Sequence, residues 1–304
     1  EISKGKLECL SLSSLDFSGD TQLVTCNSNT FYDSKTAFSV SAWFNHDNSH
    51  DGHLLHTIVN ARDGGNDGMA LSLDSTNDRI RFRIGDGSSD DLYTGNSTIS
   101  NGQWHHVVAT RDASNNTAIY IDGVSAATGS SSKTISISTA LGIGGRPSAT
   151  DADEFSGRIR DVKCWDYTLS ADQVASLYSG SYNVKPVHWY KLDDNGLHTV
   201  GGNNYDDDGT ASTPRDGTRT GATDSNGTLD LDGALTIDAD GTLSAPRGNL
   251  DVAGNMASNG TYSHSNGKIR FNGHLQVTGT SLTFYNMSWD GSNVKTIDLM
   301  NDTT

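Results

Sequence analysis

The stretch Gly102 to Val124, GQWHHVVATRDASNNTAIYIDGV, restricts the folds open to this chain more than any other. Trp104, His106, Val108 and Thr110 alternate with His105, Val107 and Ala109, and further on Ala118, Tyr120 and Asp122 alternate with Ile119 and Ile121. A period of two sends successive side chains to opposite faces of a sheet, so the stretch predicts the two strands of a long β-hairpin. Between them, Asp112-Ala113-Ser114-Asn115-Asn116 supplies side chains that bond their own backbone and tolerate positive φ. The chain can therefore reverse there without a glycine, and Asp122-Gly123 closes the second strand.

Other segments repeat the pattern. Residues 7 to 26 (LECLSLSSLDFSGDTQLVTC) alternate around a Ser18-Gly19-Asp20 turn, and Phe38, Val40, Ala42 and Phe44 alternate with Ser39, Ser41 and Trp43. Leu54 to Asn60, Met69 to Leu73 with Arg79 to Ile84, Leu141 to Arg146 and Phe155 to Trp165 read as further strands. Asn45 to His53, Arg62 to Gly68 and Asp86 to Asp91 read as polar or acidic loops. One helix is predicted, Ala171 to Ser179: Ser170 and Gln173 have the spacing of a capping box, Val174, Leu177 and Tyr178 share a face, and Gly180 stands where a left-handed residue ends a helix.

Composition supports an all-β chain, since 33 glycines, 34 % hydrophobic and 19 % charged residues suit many short strands joined by turns. A net charge of −16 disfavours nucleic acid, whose phosphates need clustered Lys and Arg to displace counterions. No apolar run is long enough to span a membrane as a helix. Cys9, Cys26 and Cys164 are too few for a disulfide framework and read as buried thiols, with one pair left open. The chain opens on Glu1 without a signal-peptide pattern, as expected of a mature or trimmed product.

Five linked segments carry a family resemblance: LDFSGD at 15–20, FSVSAWF at 38–44, the 102–124 hairpin, LGIGGR at 141–146, and FSGRIRDVKCW at 155–165 with the helix after it. Together they resemble the laminin-G-like jelly roll of the concanavalin-A-like lectin/glucanase group. The resemblance covers about residues 10 to 180 and implies an all-β sandwich over 1–183 with a carbohydrate ligand. The polar residues expected to touch the glycan are Asp63, Asp67, Tyr93, Arg146, Asp151 and Asp153. The resemblance also implies calcium as a possible cofactor, with Asp16, Asp20 and Asp161 as ligands; the aspartate usual in the last strand falls here on Arg160.

After a short linker holding Pro186, the chain changes character. From Gly227 onward, glycines at 227, 233, 241, 248, 254, 260, 267, 273 and 279 punctuate short alternating strands such as Leu235-Ile237 and Ile269-Phe271. This predicts a repetitive β region over 187–304, a β-solenoid with three short sides per coil, with a second small sandwich as the alternative. Its wording resembles repeat segments of phage and bacterial surface proteins.

Chemistry-bearing patterns are few. His105 and His106 are adjacent on a strand and point apart, so they cannot share a metal ion. Trp43, Trp104 and Trp165 read as core or sheet-face packing, with sugar stacking as the alternative. A glycosidase needs paired carboxylates, and the nearest approach, Asp151-Ala152-Asp153-Glu154, reads as loop. The expectation is a non-catalytic, extracellular or virion-surface protein that presents a lectin-like domain for glycan attachment, as a homo-oligomer or beside neighbouring subunits. A purely structural virion or filament subunit and a polysaccharide-active enzyme are the alternatives.

Overall fold

The structure, a computed structural model, describes residues 2–8, 14–17, 22–26, 30–47, 54–64, 66–147, 153–180, 185–192, 204–205, 217–220, 223–225, 228–231, 233–245, 249–264, 268–271, 276–279, 282–289 and 298–300. The chain forms two compact units: Leu15–Leu192 with His198–Thr223, and Glu1–Ser14 with Asp193–Leu197 and Asp224–Thr304. The boundaries expected at 1–183 and 187–304 therefore move. The N-terminal strand leaves the sandwich, and the segment after Pro186 joins it.

In chain order, β1 (Ile2–Glu8) belongs to the second unit. β2 (Ser14–Phe17), β3 (Leu23–Cys26), β4 (Phe38–His46), β5 (Leu55–Gly64), β6 (Asp67–Asp74), β7 (Arg79–Gly85) and β8 (Ser89–Tyr93) lead to the central hairpin. That hairpin is β9 (Trp104–Arg111) and β10 (Asn116–Ile121), followed by β11 (Val124–Ser130), β12 (Leu141–Ile143), β13 (Gly157–Trp165), α1 (Ala171–Ser179) and β14 (His188–Tyr190). Short strands β15 (Asn204–Tyr205), β16 (Gly217–Thr220) and β17 (Thr223–Ser225) come next. One sheet runs β11-β10-β9-β4-β13-β2-β17 with β14 also on β13, and the other runs β15-β16-β3-β12-β5-β6-β7-β8.

Between the sheets lies one apolar core. Val40, Ala42, Phe44, Val107, Ala109 and Ile119 enter it from the first sheet, and Val59, Met69, Leu71, Ile80, Phe82 and Ile84 from the second. Cys26 and Cys164 are buried in it; Cys9 lies outside the described residues. The hairpin forms as its alternation requires, with Thr117 opposite Arg111 and Ile121 opposite Val107. Asp112 Oδ1 accepts from the main-chain N–H of Ser114 and Asn116 at 2.9 and 2.8 Å, and Asn115 takes φ 71°, which completes the turn without glycine. The capping box of α1 is also present: Gln173 N donates to Ser170 Oγ and Ser170 N donates to Gln173 Oε1. Val174 and Leu177 then pack with Val108, Trp165 and Leu169 on the outer side of the first sheet.

Two expected loops are strands. Ser89–Tyr93 forms an edge strand, and Arg62 to Gly68 lies largely within the β5–β6 hairpin. β11 has no counterpart in the sequence reading, because VSAATGS offers no large apolar residues to alternate on an exposed edge.

The second unit is built differently. β18 (Thr228–Leu231), β19 (Leu235–Ser244), β20 (Asn249–Val252), β21 (Met256–Ser258), β22 (Thr261–Ser263), β23 (Lys268–Phe271), β24 (Gln276–Gly279), β25 (Asn286–Trp289) and β26 (Asp298–Met300) make only parallel ladders among the described residues. Partners lie roughly twenty residues apart, as Leu229, Leu250, Ile269 and Met287 do in one ladder. Leu235, Ile237, Leu243, Leu250, Val252, Met256, Ile269, Phe271 and Val277 fill the interior. Some of the recurring glycines have a steric cause: a Cβ on Gly260 would run into the carbonyl oxygens of Asp238 and Gly241, whereas Gly233 stands in open space. β1 pairs in parallel along β19, with Leu7 opposite Leu243.

Candidate functional site

In β7 the sequence RIRFRIG sends Ile80, Phe82 and Ile84 into the core, which leaves Arg79, Arg81 and Arg83 on the outer face of the second sheet. Register then decides their neighbours. Arg79, Arg81 and Arg83 lie opposite Asp74, Ser72 and Ala70 of β6, while Arg81 and Arg83 lie opposite Tyr93 and Asp91 of β8. On the far side of β6, Thr57 faces Ser72 and Asn60 faces Ala70. Thr57 and Asn60 would point to opposite faces of a regular strand, and the bulge between Thr57 and Val59 brings them to the same one.

The result is a floor of short side chains, Thr57, Asn60, Ala70 and Ser72, with Arg81, Arg83, Asp91 and Tyr93 on one side and Arg62 on the other. Gly142 pairs with Asn60, and a Cβ there would collide with the ring of Pro147 and the carbonyl of Gly145. The segment that carries Arg146 is thus laid directly on β12. Asp153 reaches the same face through its carbonyl, which accepts from Thr57 N at 2.7 Å.

Charge is concentrated here. Arg83 grips Asp91 with both ends of its fork, Nε to Oδ1 at 2.7 Å and Nη2 to Oδ2 at 2.8 Å. Burial alone would raise the Asp91 carboxyl, but that fork and the charges of Arg81, Arg83 and Arg62 override it and hold Asp91 below the ordinary carboxylate range. Arg62, 5 % exposed, is pushed down to about 10 by burial and by the positive charges of Arg83, Arg146 and Arg81, with Asp153 opposing. Arg81 is 4 % exposed and its Nε has no hydrogen-bond partner among the described residues. At the edge, Arg79 bonds Asp74 at 2.8 Å and lies 4.1 Å over the ring of Tyr93.

Of the residues expected to touch a glycan, Tyr93, Arg146 and Asp153 belong to this cluster. Asp63 does not. Its carboxylate accepts from the N–H groups of Ser138 and Thr139, the latter at 2.7 Å, and so anchors that segment. Asp67 begins β6 near the β7–β8 turn, facing Gly87. Asp151 lies outside the described residues. The sequence reading missed Arg62, Arg81, Arg83 and Asn60, although the Arg/apolar alternation of β7 was a visible signal.

Of the expected calcium ligands, Asp16 and Asp161 lie among the described residues. Asp161 accepts from Trp189 Nε1 at 3.0 Å and is flanked by Arg160 and Lys163 at 3.8 and 3.7 Å. Burial and then the neighbouring Asp47 lift the Asp16 carboxyl above its ordinary range, against the pull of Arg158. Asp20 lies outside the described residues. Among the described residues no three His, Cys, Asp or Glu side chains form a metal-binding group.

The outer face of the first sheet is aromatic, but cations already occupy it. Arg160 sits 5.0 and 4.8 Å from the ring centres of Trp43 and Trp104, Arg158 lies 5.5 Å from Trp104, and Tyr178 stacks on Trp43 at 5.6 Å. Trp165 is fully buried, as expected, whereas Trp104 is only half-buried. Of the two expected placements, core or sheet face, Trp104 takes the sheet face: its outward register opposite Asn45 puts it on the face away from Phe44.

Two facing antiparallel sheets, with a polar site on one outer face, define a lectin-like β-sandwich. The chain belongs to the Concanavalin A-like lectin/glucanases superfamily, whose sequence model matches residues 17–175. No curated protein matches the chain. Among solved structures it is similar to a candidate carbohydrate-binding protein from Bacteroides ovatus, at 21 % identity and TM-score 0.49, over 70 % of this chain and 59 % of that one. It is also similar to a heptameric SAP-like pentraxin from Limulus polyphemus (16 %, TM-score 0.44, 57 % and 84 % covered). A third similarity is to the CBM40 of the Ruminococcus gnavus IT-sialidase (16 %, TM-score 0.45, 55 % and 98 % covered).

Proposed function

We propose that this chain is a non-catalytic glycan-binding protein that takes its ligand on the outer face of the second sheet and is displayed outside the cell or on a virion, with the C-terminal unit as a short β-solenoid stalk. The observation that carries this reading is the floor of short polar side chains held between arginines on a rigid sheet, in a chain of a lectin superfamily. Against catalysis stands the fate of Asp91: Arg83 engages both its oxygens and holds it ionised, which unfits it to donate a proton.

A panel of immobilised neutral and acidic glycans tests the proposal with the full chain. Binding to at least one member is expected, with slowed amide exchange in β5, β7 and β8. Absence of binding to every glycan, or protection confined to residues 224–304, would overturn it, as would release of reducing ends from a bound polysaccharide.

A role as a subunit of a larger assembly is favoured by Tyr285 and Met287, which are 59 % and 49 % exposed in the last coils of the stack. Sedimentation at micromolar concentration should show more than one chain per particle; a monomer removes that role.

A further inference from the structure

We infer that the glycan is an acidic one: a sugar bearing a carboxylate or sulfate group whose oxygens are taken by Arg81 and Arg146, with neighbouring hydroxyls meeting Thr57 and Asn60. The inference rests on the preceding assignment of the site and narrows it to a ligand class.

Its first ground is the inventory of buried polar atoms on this face. Arg81 Nε and Arg146 Nε are buried donors without a hydrogen-bond partner among the described residues, and Thr57 Oγ1 and Asn60 Oδ1 are buried without one as well. Buried polar groups are nearly always paired, and each one left unpaired is costly, so a cluster of them on one outer face marks a place prepared for a ligand. The kinds of atom specify that ligand. Guanidinium donors call for acceptor oxygens in a planar or tetrahedral acid group, and an amide oxygen calls for a donor, which a sugar hydroxyl supplies.

The second ground is electrostatic. In a chain of net charge −16, the positive charges of Arg83, Arg146 and Arg81 all bear on the buried Arg62 on this face. Asp91, the carboxylate best placed to neutralise them, is engaged on both oxygens by Arg83. Cations crowded at low exposure repel one another, and an anion bound among them relieves that repulsion while gaining charge-assisted hydrogen bonds. The first sheet offers no such opening, because Arg158, Arg160, Lys163 and Lys191 lie against the rings of Trp43, Trp104 and Trp189.

Titration of the full chain with polygalacturonate, dextran sulfate and unmodified dextran is the test. At least one acidic polymer should bind and raise the melting temperature, the carboxylate and sulfate arms telling which acid is read, while dextran should bind at least tenfold more weakly. Arg146→Gln, at the half-buried position, should weaken acidic binding by tenfold or more with unchanged melting of the free protein. Arg158→Gln on the other sheet should leave binding as it was. Should Arg81→Gln prove too unstable to assay, Arg146→Gln and Asn60→Ala still decide the matter. Equal binding of dextran and the acidic polymers, or acidic binding indifferent to Arg146→Gln and Asn60→Ala, would overturn the acidic assignment and leave the glycan-binding reading standing. Failure to bind these polymers or any member of the glycan panel would overturn both.

Discussion

The two units of this protein use the same vocabulary of short strands and glycine or asparagine turns, yet they pair their strands in opposite ways. In the sandwich, Phe44 is paired with His105 on one side and Ile159 on the other, strands far away in the chain, and all described ladders of the sandwich sheets are antiparallel. In the C-terminal unit, Leu250 is paired in parallel with Leu229 and Ile269, its nearest neighbours in the repeat. The sandwich buries rings of Phe and Tyr in a core to which both sheets contribute, whereas the interior of the C-terminal unit is mostly aliphatic, with Phe271 its one fully buried ring among the described residues. A shared core makes damage anywhere a loss for the whole unit, and a one-dimensional stack keeps damage near where it occurs.

The comparison is most easily broken in the sandwich core. Phe44→Ala should cost about 3 to 5 kcal/mol and lower the melting of the entire sandwich, read by near-ultraviolet dichroism, while the parallel stack keeps its own transition. Loss of both transitions together would show that the units do not melt separately.

Acid should separate them next. Burial, with His56 adding its charge, depresses His46 to about 4, and burial with Lys163 depresses His106 to about 3. Between pH 6.5 and about 4 the unfolded chain binds protons on these imidazoles that the folded sandwich does not. Their contribution is therefore fully present above pH 6.5 and is lost as the pH falls through that window. His46 alone accounts for up to about 3 kcal/mol of that loss. Melting of the sandwich that stays flat from pH 7 to 4.5 would contradict the burial of both rings.

In the stack, Gly260→Val drives a side chain into the carbonyls of Asp238 and Gly241. A loss of about 1 to 3 kcal/mol confined to the C-terminal transition is expected. An unchanged transition would mean that the turns are not stacked that closely.

Trp104→Ala should do least. The ring is half-buried and held by Arg158 and Arg160, so about 1 kcal/mol of sandwich stability is at stake, measurable by urea titration. A loss of core size would return Trp104 to the interior.

Much of this fold was legible in the sequence. The hairpin at 102–124, the capping box at Ser170 and Gln173 and the inward alternation of Phe38 to Phe44 depend on neighbours a few residues away, and local chemistry is what a sequence displays. The site was legible only in part. Tyr93, Arg146 and Asp153, expected on the family resemblance, lie in the cluster, whereas Asp63 anchors the 138–139 segment and Asp161 pairs with Trp189. No local pattern announces which carboxylate will be consumed by a distant backbone.

By itself, then, the sequence determined that the chain is a set of short strands with one capped helix, which residues of each strand share a face, and that its first part belongs to a lectin-like sandwich. Period-two alternation and turn chemistry are enough for that. Only the tertiary structure decided that β5, β6, β7 and β8 lie side by side, so that Asn60, Ala70, Arg83 and Asp91 form one row. It also decided that a bulge turns Thr57 to the same face, that Gly142 admits the segment bearing Arg146, and that β1 pairs with β19 and not within the sandwich. The physical reason is that strand order and register are chosen by the packing of the whole core, and a one-residue change of register would have moved every one of these side chains to the opposite face.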